Sequence, residues 1–488
     1  MSQHRYAQRR VCDVLVLGAG LAGLRAAIAA KSRRPRLKVA VLTVAALPSG
    51  SSFANLNNAL GVQAPATDAE KKFFVEETLR LAPPGLADPL LAATLAKEAH
   101  ARVEEMIQLG LSFRRANDVL ALHPACFSPE SRQALIFDSL DRAFHRFLAW
   151  AKHTGVLFWP GVRIAGLVRG DGFSVLTEDR EAAVGKAVIL ALGGPAGLFA
   201  WSMAGKRLGG ESYGLLRKAG ATVANAGFLQ FFWTQTRYKR FTPLGGLFRP
   251  GAAILEQDGR FFDPFADLST AASNRLANLA VQRGSHCPAA YGLPDSVLDE
   301  ILKARLDRRG LATFRTSDGR RLSIAPMAHA GNGGARIDEH GGTGVPGLFA
   351  CGECATGMYG ANRLGGAMVA ATQVFGKRAG EAAADFASGA RQPLRAGSPV
   401  EVEPAAPRRP GELGELRRRM QKNAVLGGGP GLSELKAWLQ ERREHASGSW
   451  ELQLLSAETI VDDLLQAWKT AGGDPLTAGA AAGKAQPD

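Results

Sequence analysis

The sequence predicts an α/β fold with a doubly wound parallel sheet, and three glycine-rich segments support this prediction. Each segment has an apolar run typical of a buried strand and then closely spaced glycines, and in the first and third segments a stretch typical of a helix follows. The segments begin near residues 11, 187 and 347, and 57 of the 488 residues are glycine. Because so long a chain exceeds what one hydrophobic core supports, we expect more than one domain.

The first glycine-rich segment is the most specific. An apolar run at 11–17 is followed directly by the spacing G-x-G-x-x-G and then by an Ala-rich stretch that is predicted to be helical. In this context Gly18 permits the tight turn, Gly20 lets a pyrophosphate approach the backbone, and Gly23 lets helix and strand pack closely. The helix N-terminus adds partial positive charge for the same phosphates. The segment therefore indicates binding of a dinucleotide.

Two later positions refine this prediction. Thr43 ends the second predicted strand, where an acidic residue ordinarily binds a ribose hydroxyl. Gly193 follows the strand of the second segment, which we expect to re-enter the same domain after an excursion. Because the third segment returns only near residue 347, the domain should be assembled from separated pieces, with an insertion between the second and the third.

From residue 11 to residue 468 the chain resembles the flavoprotein family of succinate dehydrogenase, fumarate reductase and L-aspartate oxidase. The stretch 39–61 (VAVLTVAALPSGSSFANLNNALG) resembles the L-aspartate oxidase branch most, because that branch also lacks the ribose acid. The stretch 347–366 (GLFACGECATGMYGANRLGG) resembles the family's signature. The resemblance implies a Rossmann-like FAD-binding domain, an inserted α+β capping domain and a C-terminal helical segment.

The resemblance and the composition together suggest how the chain is divided. The expected parts are an FAD-binding domain at 9–224 and 325–388 with a mainly helical insertion at 65–160, a capping domain at 225–324, a linker at 389–411, a helical segment at 412–470 and a disordered tail at 471–488. Within the insertion, apolar spacing predicts helices at 92–109 and 131–153.

FAD is the cofactor that the resemblance implies, and no metal is expected. The residues implied to hold it are Gly18, Gly20, Gly23, Thr43, Ser51, Ser52, Gly193 and Glu353, the last as a ribose ligand. Some relatives carry a histidine near the position of Ser52 that attaches FAD covalently. This chain has no histidine between His4 and His100, so we predict non-covalent FAD.

The resemblance also implies an FAD-dependent oxidoreductase that transfers a hydride between a carboxylate-bearing substrate and flavin N5. Arg249 corresponds to the family's proton-transferring arginine, and His329 and Arg363 to the residues that hold a substrate carboxylate. An arginine fork pairs well with two carboxylate oxygens, and a histidine can add a hydrogen bond to the same group. A proton-transferring arginine is unusual for so basic a side chain.

The chain departs from the family at positions that are expected to face the substrate. Phe232 and Trp233 stand where relatives commonly have a histidine, and Gly246 and Gly251 replace glutamates that flank the arginine. Aromatic bulk would solvate a second carboxylate poorly. We therefore predict a substrate with one carboxylate and an apolar or aromatic remainder.

Alternative functions remain open at this stage. The chain could be an electron-transferring or degenerate flavoprotein subunit of a larger complex, so an electron-transfer protein is one expected partner beside the small-molecule carboxylate. Cys351 and Cys354 form a C-x-x-C pair beside the expected flavin, which fits either a redox dithiol or two small buried side chains.

Charge and hydropathy exclude other classes. The net charge is +14, but the basic residues are scattered without interleaved aromatic residues, which favours a solvated surface over nucleic-acid binding. No apolar run reaches the ~20 residues that a membrane span requires. Five cysteines in so long a chain do not form a disulfide scaffold, and we expect a cytoplasmic protein.

Overall fold

The computed structural model describes residues 4–83, 85–127, 133–249, 251–284, 286–316, 319–390, 400–402 and 409–471. Its strands, numbered in chain order, are β1 (His4–Leu17), β2 (Val39–Thr43), β3 (Gly61–Gln63), β4 (Arg115–Ala116), β5 (Val119–Leu120), β6 (Leu122–Pro124), β7 (Gln133–Ile136), β8 (Leu157–Pro160), β9 (Ile164–Arg169), β10 (Phe173–Thr177), β11 (Glu181–Leu190), β12 (Val223–Ala224), β13 (Leu229–Gln235), β14 (Ala253–Leu255), β15 (Phe261–Phe262), β16 (Ala312–Arg315), β17 (Arg321–Gly331), β18 (Gly334–Arg336), β19 (Leu348–Ala350), β20 (Ala355–Thr356) and β21 (Val400–Val402). Its α-helices are α1 (Leu21–Arg33), α2 (Gly50–Phe53), α3 (Asp68–Leu81), α4 (Pro89–Gln108), α5 (Leu140–His153), α6 (Ser212–Lys218), α7 (Thr270–Arg283), α8 (Ser296–Lys303), α9 (Ala367–Gly389), α10 (Glu412–Asn423), α11 (Leu432–Arg443) and α12 (Gly448–Ala471).

The main sheet is centred on β1, whose residues 14–17 are completely buried. β1 pairs in parallel with β2 and β11, β2 with β8, and β11 with β19, while β10 and β9 extend the sheet antiparallel from β11. The carboxyl ends of the parallel strands meet at one edge, where ligands of doubly wound sheets bind. The predicted α/β fold class is confirmed, and the first strand begins at His4, earlier than predicted, since its start pairs with β21.

Helices α1 and α9 pack closely against each other beside this sheet. A methyl group placed on Gly380 of α9 would lie 2.2 Å from the carbonyl oxygen of Ala26 in α1, and one on Gly376 would lie 3.0 Å from that of Ala22. Glycine is therefore required for the helices to approach this closely. Their packing fixes the first turn of α1 next to the third glycine-rich segment.

A second, antiparallel sheet has the order β13-β17-β16-β14-β15 and is accompanied by α7 and α8. It occupies the predicted capping domain. The predicted boundary between residues 324 and 325 falls inside β17, because β17 pairs along its length with β13. The same strand therefore runs from the capping sheet into the region that carries His329.

The predicted insertion is mainly helical, with α3, α4 and α5 around the small sheet β3-β7-β6. The predicted helix at 131–153 is wrong in its first part, because Gln133–Ile136 pairs with β3 as a strand. Helix α5 begins only at Leu140, where the Ser139 side chain accepts a hydrogen bond from the first turn.

The C-terminal segment consists of α10, α11 and α12, and α12 packs on α6. The predicted linker contains the short strand β21, and the predicted tail beyond residue 471 lies outside the described residues. Across the described ranges, we find no helix that is both long enough and apolar enough to pass through a bilayer.

Candidate cofactor and substrate cavity

A cavity of about 460 Å³ opens at the carboxyl edge of the main sheet and extends to the capping sheet. Most of the predicted site residues line it: Gly18, Gly20, Thr43, Ser51, Ser52, Gly193, Phe232, His329, Glu353 and Arg363. Gly23, Trp233 and Arg249 are not among the lining residues. Residues from all three glycine-rich segments thus come together at one place.

The first glycine turn has the geometry of a phosphate cradle. Gly18 has φ +111°, and a methyl group on it would lie 2.3 Å from the Ala191 carbonyl oxygen. A methyl group on Gly23 would lie 2.0 Å from the Gly18 carbonyl oxygen, so both glycines are required by backbone packing. Gly20 differs, because a methyl group there would meet only the Ser52 hydroxyl, at 3.3 Å, and would otherwise fill the cavity. The turn fits a pyrophosphate at the N-terminus of α1.

Glu353 lies at the wall of this cavity, on the short turn that follows β19. Its carboxylate accepts a hydrogen bond of 2.8 Å from the backbone N–H of Gly331. Burial raises the pKa of Glu353 to about 7. A buried carboxyl group at a cavity wall can accept hydrogen bonds from a ligand hydroxyl. The Thr43 hydroxyl, in contrast, donates to the backbone carbonyl of Ala45 at 3.1 Å, within its own loop.

Two ring nitrogens that line the cavity are buried without a hydrogen-bond partner among the described residues, His123 Nε2 and His329 Nδ1. Buried polar atoms are nearly always paired in folded proteins. Together with the open face of Gly20 and the carboxyl group of Glu353, these atoms fit a polar ligand. The donors and acceptors present are compatible with FAD and with a substrate beside it.

Arg363 is held rigidly at the substrate end of the cavity. Its Nε donates to Asn332 Oδ1 at 3.0 Å, and one Nη donates to Gln230 Oε1. Its guanidinium carbon also lies 5.3 Å from the ring centroid of Tyr359. The side chain is 5% exposed, and no carboxylate of the described residues forms an ion pair with it. Burial lowers the pKa of Arg363, but an arginine stays protonated in proteins.

His329 lies beside Arg363 and is surrounded by aromatic side chains. The ring of Phe232 contacts it edge-on at 4.7 Å, and Phe232 itself stacks on Phe241 at 4.3 Å. Burial, and next the positive charge of Arg363, lower the pKa of His329 to about 4. The ring is therefore neutral near pH 7 and presents one N–H donor and one acceptor nitrogen.

The structure places two predicted residues elsewhere. Trp233 lies outside the cavity, contrary to the prediction, and its indole N–H donates to Asp299 Oδ1 at 2.7 Å. Neighbouring residues of a strand point to opposite faces, so Phe232 and Trp233 cannot both face the cavity. Arg249 is exposed, after a short 3-10 turn of the capping region, and the structure does not bring it next to Arg363. Its catalytic role stays a prediction.

Cys351 and Cys354 are both completely buried. The Cys354 thiol accepts a hydrogen bond from the backbone N–H of Leu192 and donates to the carbonyl of Gly193. Burial raises the pKa of Cys354 to about 12 and raises that of Cys351 as well. Since the thiolate is the reactive form, these contacts favour the structural interpretation of the C-x-x-C pair.

Several cavity residues were not predicted from the sequence. Gln230 lies two positions before Phe232, and the alternation of a strand could have placed both on one face. His123 and Phe241 belong to no motif, and their places in the cavity wall depend on how the insertion and the capping sheet fold. Asn332 holds Arg363 without lining the cavity. Cys126 lies in the stretch 124–127, which the family resemblance marks as lining the site, but nothing marks Cys287 as its neighbour, because 160 residues lie between them.

Comparisons with known proteins agree with this geometry. The family described as FAD binding domain matches residues 13–369. The L-aspartate oxidase of Caulobacter vibrioides is 30% identical, covering 94% of this chain and 92% of that protein. A fumarate reductase (CoM/CoB) subunit of Methanothermobacter marburgensis is also 30% identical, over 79% of this chain and 74% of that protein.

A solved structure shows the same fold. The Sdh1 complex of Mycobacterium smegmatis in the apo form superposes with a TM-score of 0.67 at 23% identity, covering 93% of this chain and 86% of that one. The glycine cradle, the family match and the two relatives at 30% identity lead to one conclusion. The chain belongs to the FAD-binding oxidoreductase family that includes L-aspartate oxidase and the fumarate reductase flavoproteins.

Proposed function

We propose that the chain binds FAD non-covalently in this cavity and oxidises or reduces a small substrate next to a carboxylate group. The observation that carries the proposal is the buried guanidinium of Arg363, with which no described carboxylate forms an ion pair, although the Glu353 carboxyl group acts on it from a distance. An uncompensated buried charge is costly. A substrate carboxylate would remove this cost, and it would meet a fork that Gln230 and Asn332 already hold in place.

The residues of the chain fit FAD, which when bound supplies an acceptor or donor for a hydride. Gly20 would face the pyrophosphate, and Glu353 would accept a hydrogen bond from a ribose hydroxyl. Ser51 and Ser52 stand where some relatives carry the attaching histidine, and this supports non-covalent binding.

Arg363 and His329 would hold the substrate carboxylate from two sides. Because its pKa is lowered, neutral His329 adds a hydrogen bond without adding charge. Phe232 and Phe241 would enclose the rest of the substrate and exclude water from it. This wall supports a substrate with one carboxylate and an apolar or aromatic remainder, because a second carboxylate would find no partner on it.

Arg249 is retained as the proposed proton-transferring residue, on the family resemblance alone. The neighbouring Gly246 and Gly251 would meet no other atoms within 4 Å if each carried a methyl group. The loop therefore offers no carboxylate at these positions to pass protons onward, and exchange would occur directly between exposed Arg249 and solvent.

A cytoplasmic location and an electron-transferring protein partner complete the proposal. All five cysteines are free thiols, as expected in a reducing compartment. One of the two relatives at 30% identity belongs, by its name, to a complex of several chains. A comparable partner could accept or supply the electrons of this chain.

The proposal is tested by mixing the FAD-loaded protein anaerobically with amino acids, dicarboxylic acids and aromatic monocarboxylic acids. Loss of the yellow flavin absorbance with a monocarboxylic acid is the expected result. Bleaching by L-aspartate or succinate alone would contradict the proposed substrate class. Bleaching only in the presence of a protein partner would favour an electron-transferring role within a complex, and a protein that binds no FAD would overturn the whole proposal.

A further inference from the structure

Two cysteines that are distant in the sequence meet in the cavity. Cys126 follows β6 in the helical insertion, and Cys287 lies between α7 and α8 beside the capping sheet. Both are partly exposed, whereas Cys12, Cys351 and Cys354 are buried. The side chains of Cys126 and Cys287 are neighbours in the cavity wall, near enough for each to shift the pKa of the other. Cys126 and Cys287 are thus the two partly exposed cysteines of the cavity wall, and the third lining cysteine, Cys351, is buried.

Packing on both sides holds the pair together. The ring of Phe127, next to Cys126, stacks on the ring of His286, next to Cys287, with centroids 4.2 Å apart and an angle of 22°. His286 is fixed in turn by a hydrogen bond of 2.6 Å between its Nε2 and Asp295. The placement of Cys126 beside Cys287 is therefore set by neighbouring residues that are themselves held in place.

The two thiols are not equivalent. The side chain of Cys287 lowers the pKa of Cys126, and the positive charge of nearby Arg363 also favours the thiolate. The side chain of Cys126, together with burial, raises the pKa of Cys287. A nucleophilic thiol paired with a protonated neighbour is the arrangement of a thiol–disulfide exchange site.

We propose that Cys126 and Cys287 form a thiol–disulfide exchange site for low-molecular-weight disulfides that enter the cavity. The Cys126 thiolate attacks one sulfur of the disulfide, forms a mixed disulfide and expels the first thiolate. Cys287 then gives its proton to the first expelled thiolate and attacks Cys126 Sγ, which forms the Cys126–Cys287 bond and expels the second thiolate. Two protein thiols are oxidised, and one external disulfide is reduced to two thiols.

The new bond would join the insertion to the capping side across the cavity. None of these steps involves the flavin or a substrate carboxylate. A failure of the exchange-site proposal would therefore leave the proposed oxidoreductase function untouched, and the reverse also holds. The exchange site can be tested on the holoenzyme without turnover.

The test uses 2,2′-dithiodipyridine on the folded holoenzyme, with the released pyridine-2-thione followed by absorbance and the products mapped by peptide mass spectrometry. Wild-type protein should release two pyridine-2-thiones per chain in a fast phase and show a Cys126–Cys287 crosslink without a retained adduct. Cys287→Ser should release one and keep a mixed disulfide on Cys126. Cys126→Ser should slow the fast phase at least tenfold.

Cys12→Ala is the matched control, since it removes a buried thiol outside the cavity and should leave the fast phase unchanged. The wild-type mapping needs no variant to fold, so it decides the matter even if a substitution unfolds the protein. A crosslink between Cys351 and Cys354, a fast phase that survives Cys126→Ser, or thiols that react only after unfolding would each overturn the proposal.

Discussion

The guanidinium of Arg363 combines three properties that are rarely found together. It is buried, it is held by the neutral acceptors Gln230 and Asn332, and no described carboxylate pairs with it. Proteins ordinarily neutralise a buried cation with an acid of their own. Neutral acceptors fix the orientation of the fork and leave its charge for an incoming anion.

Replacing Arg363 tests this interpretation at the residue scale. Arg363→Gln should raise the dissociation constant of a carboxylate ligand roughly 10- to 150-fold, the cost of losing charge-assisted hydrogen bonds of about 1.5–3 kcal/mol. Titration of the oxidised flavin spectrum with the ligand measures the constant. Arg336→Gln, an exposed arginine outside the cavity, is the control and should leave it unchanged. Equal binding by both variants would contradict the assignment.

His329 predicts a specific dependence of stability on pH. Its folded-state pKa is about 4 against an ordinary value of 6.5, so between these values the unfolded chain binds a proton that the folded chain does not. Stability is therefore lost as the pH falls through this window. The free energy of unfolding, measured in urea, should fall between pH 7 and pH 5 by roughly 1–2 kcal/mol more in the wild type than in His329→Gln. Exposed His145→Gln should behave like the wild type, and an identical loss in all three proteins would refute the prediction.

Phe232 is predicted to select substrates by excluding a second carboxylate. Phe232→His would place a polar ring beside His329 and remove part of the stack on Phe241. The ratio of kcat/KM for a dicarboxylic acid to that for an aromatic monocarboxylic acid should rise at least tenfold, as expected when an unpaired charge gains a partner. A conservative Phe232→Leu variant should not raise it. An unchanged ratio in Phe232→His would contradict the role of Phe232 in substrate selection.

At the level of elements, local sequence patterns predict many of the helices and strands. The other elements depend on pairings between separate segments, which local patterns do not reveal. The glycine motif indicated the β1–α1 turn, and the segment predicted to be helical at 412–470 contains α10, α11 and α12. The prediction failed at Gln133–Ile136, where pairing with β3 overrides a local helical pattern. It failed at Trp233 because the motif marks a stretch of strand but not which face of that strand meets the ligand.

The contact between α1 and α9 gives a testable consequence at this scale. Gly380→Ala would place a methyl group 2.2 Å from the carbonyl oxygen of Ala26, so it should lower the free energy of unfolding by about 1–3 kcal/mol through overpacking. Gly389→Ala, at the end of the same helix with no atom within 4 Å of the added methyl, is the matched control. It should be neutral or stabilising. Unfolding in urea measures both, and equal stability of the two variants would contradict the close packing.

The whole molecule brings together a cavity whose walls come from segments hundreds of residues apart. Resemblance to a flavoprotein family predicted Glu353, His329 and Arg363, because their motifs are local. It could not predict that Cys126 meets Cys287, since that contact depends on how the insertion and the capping side are placed. The cofactor cavity accounts for only some of the 57 glycines, because glycines of α9 allow helices to pack closely instead.

We propose above all that buried Arg363, which has no ion-pair partner among the described residues, binds the carboxylate of the substrate in an FAD cavity. The most direct measurement is the anaerobic rate of flavin bleaching by the best monocarboxylic acid, compared with the rate for the same molecule in which a carboxamide replaces the carboxylate. The two molecules have nearly the same shape and differ in charge. The account predicts that the acid bleaches the flavin and that the amide is slower by a factor of roughly 10–150 at equal concentration. Equal rates for the acid and the amide would contradict it.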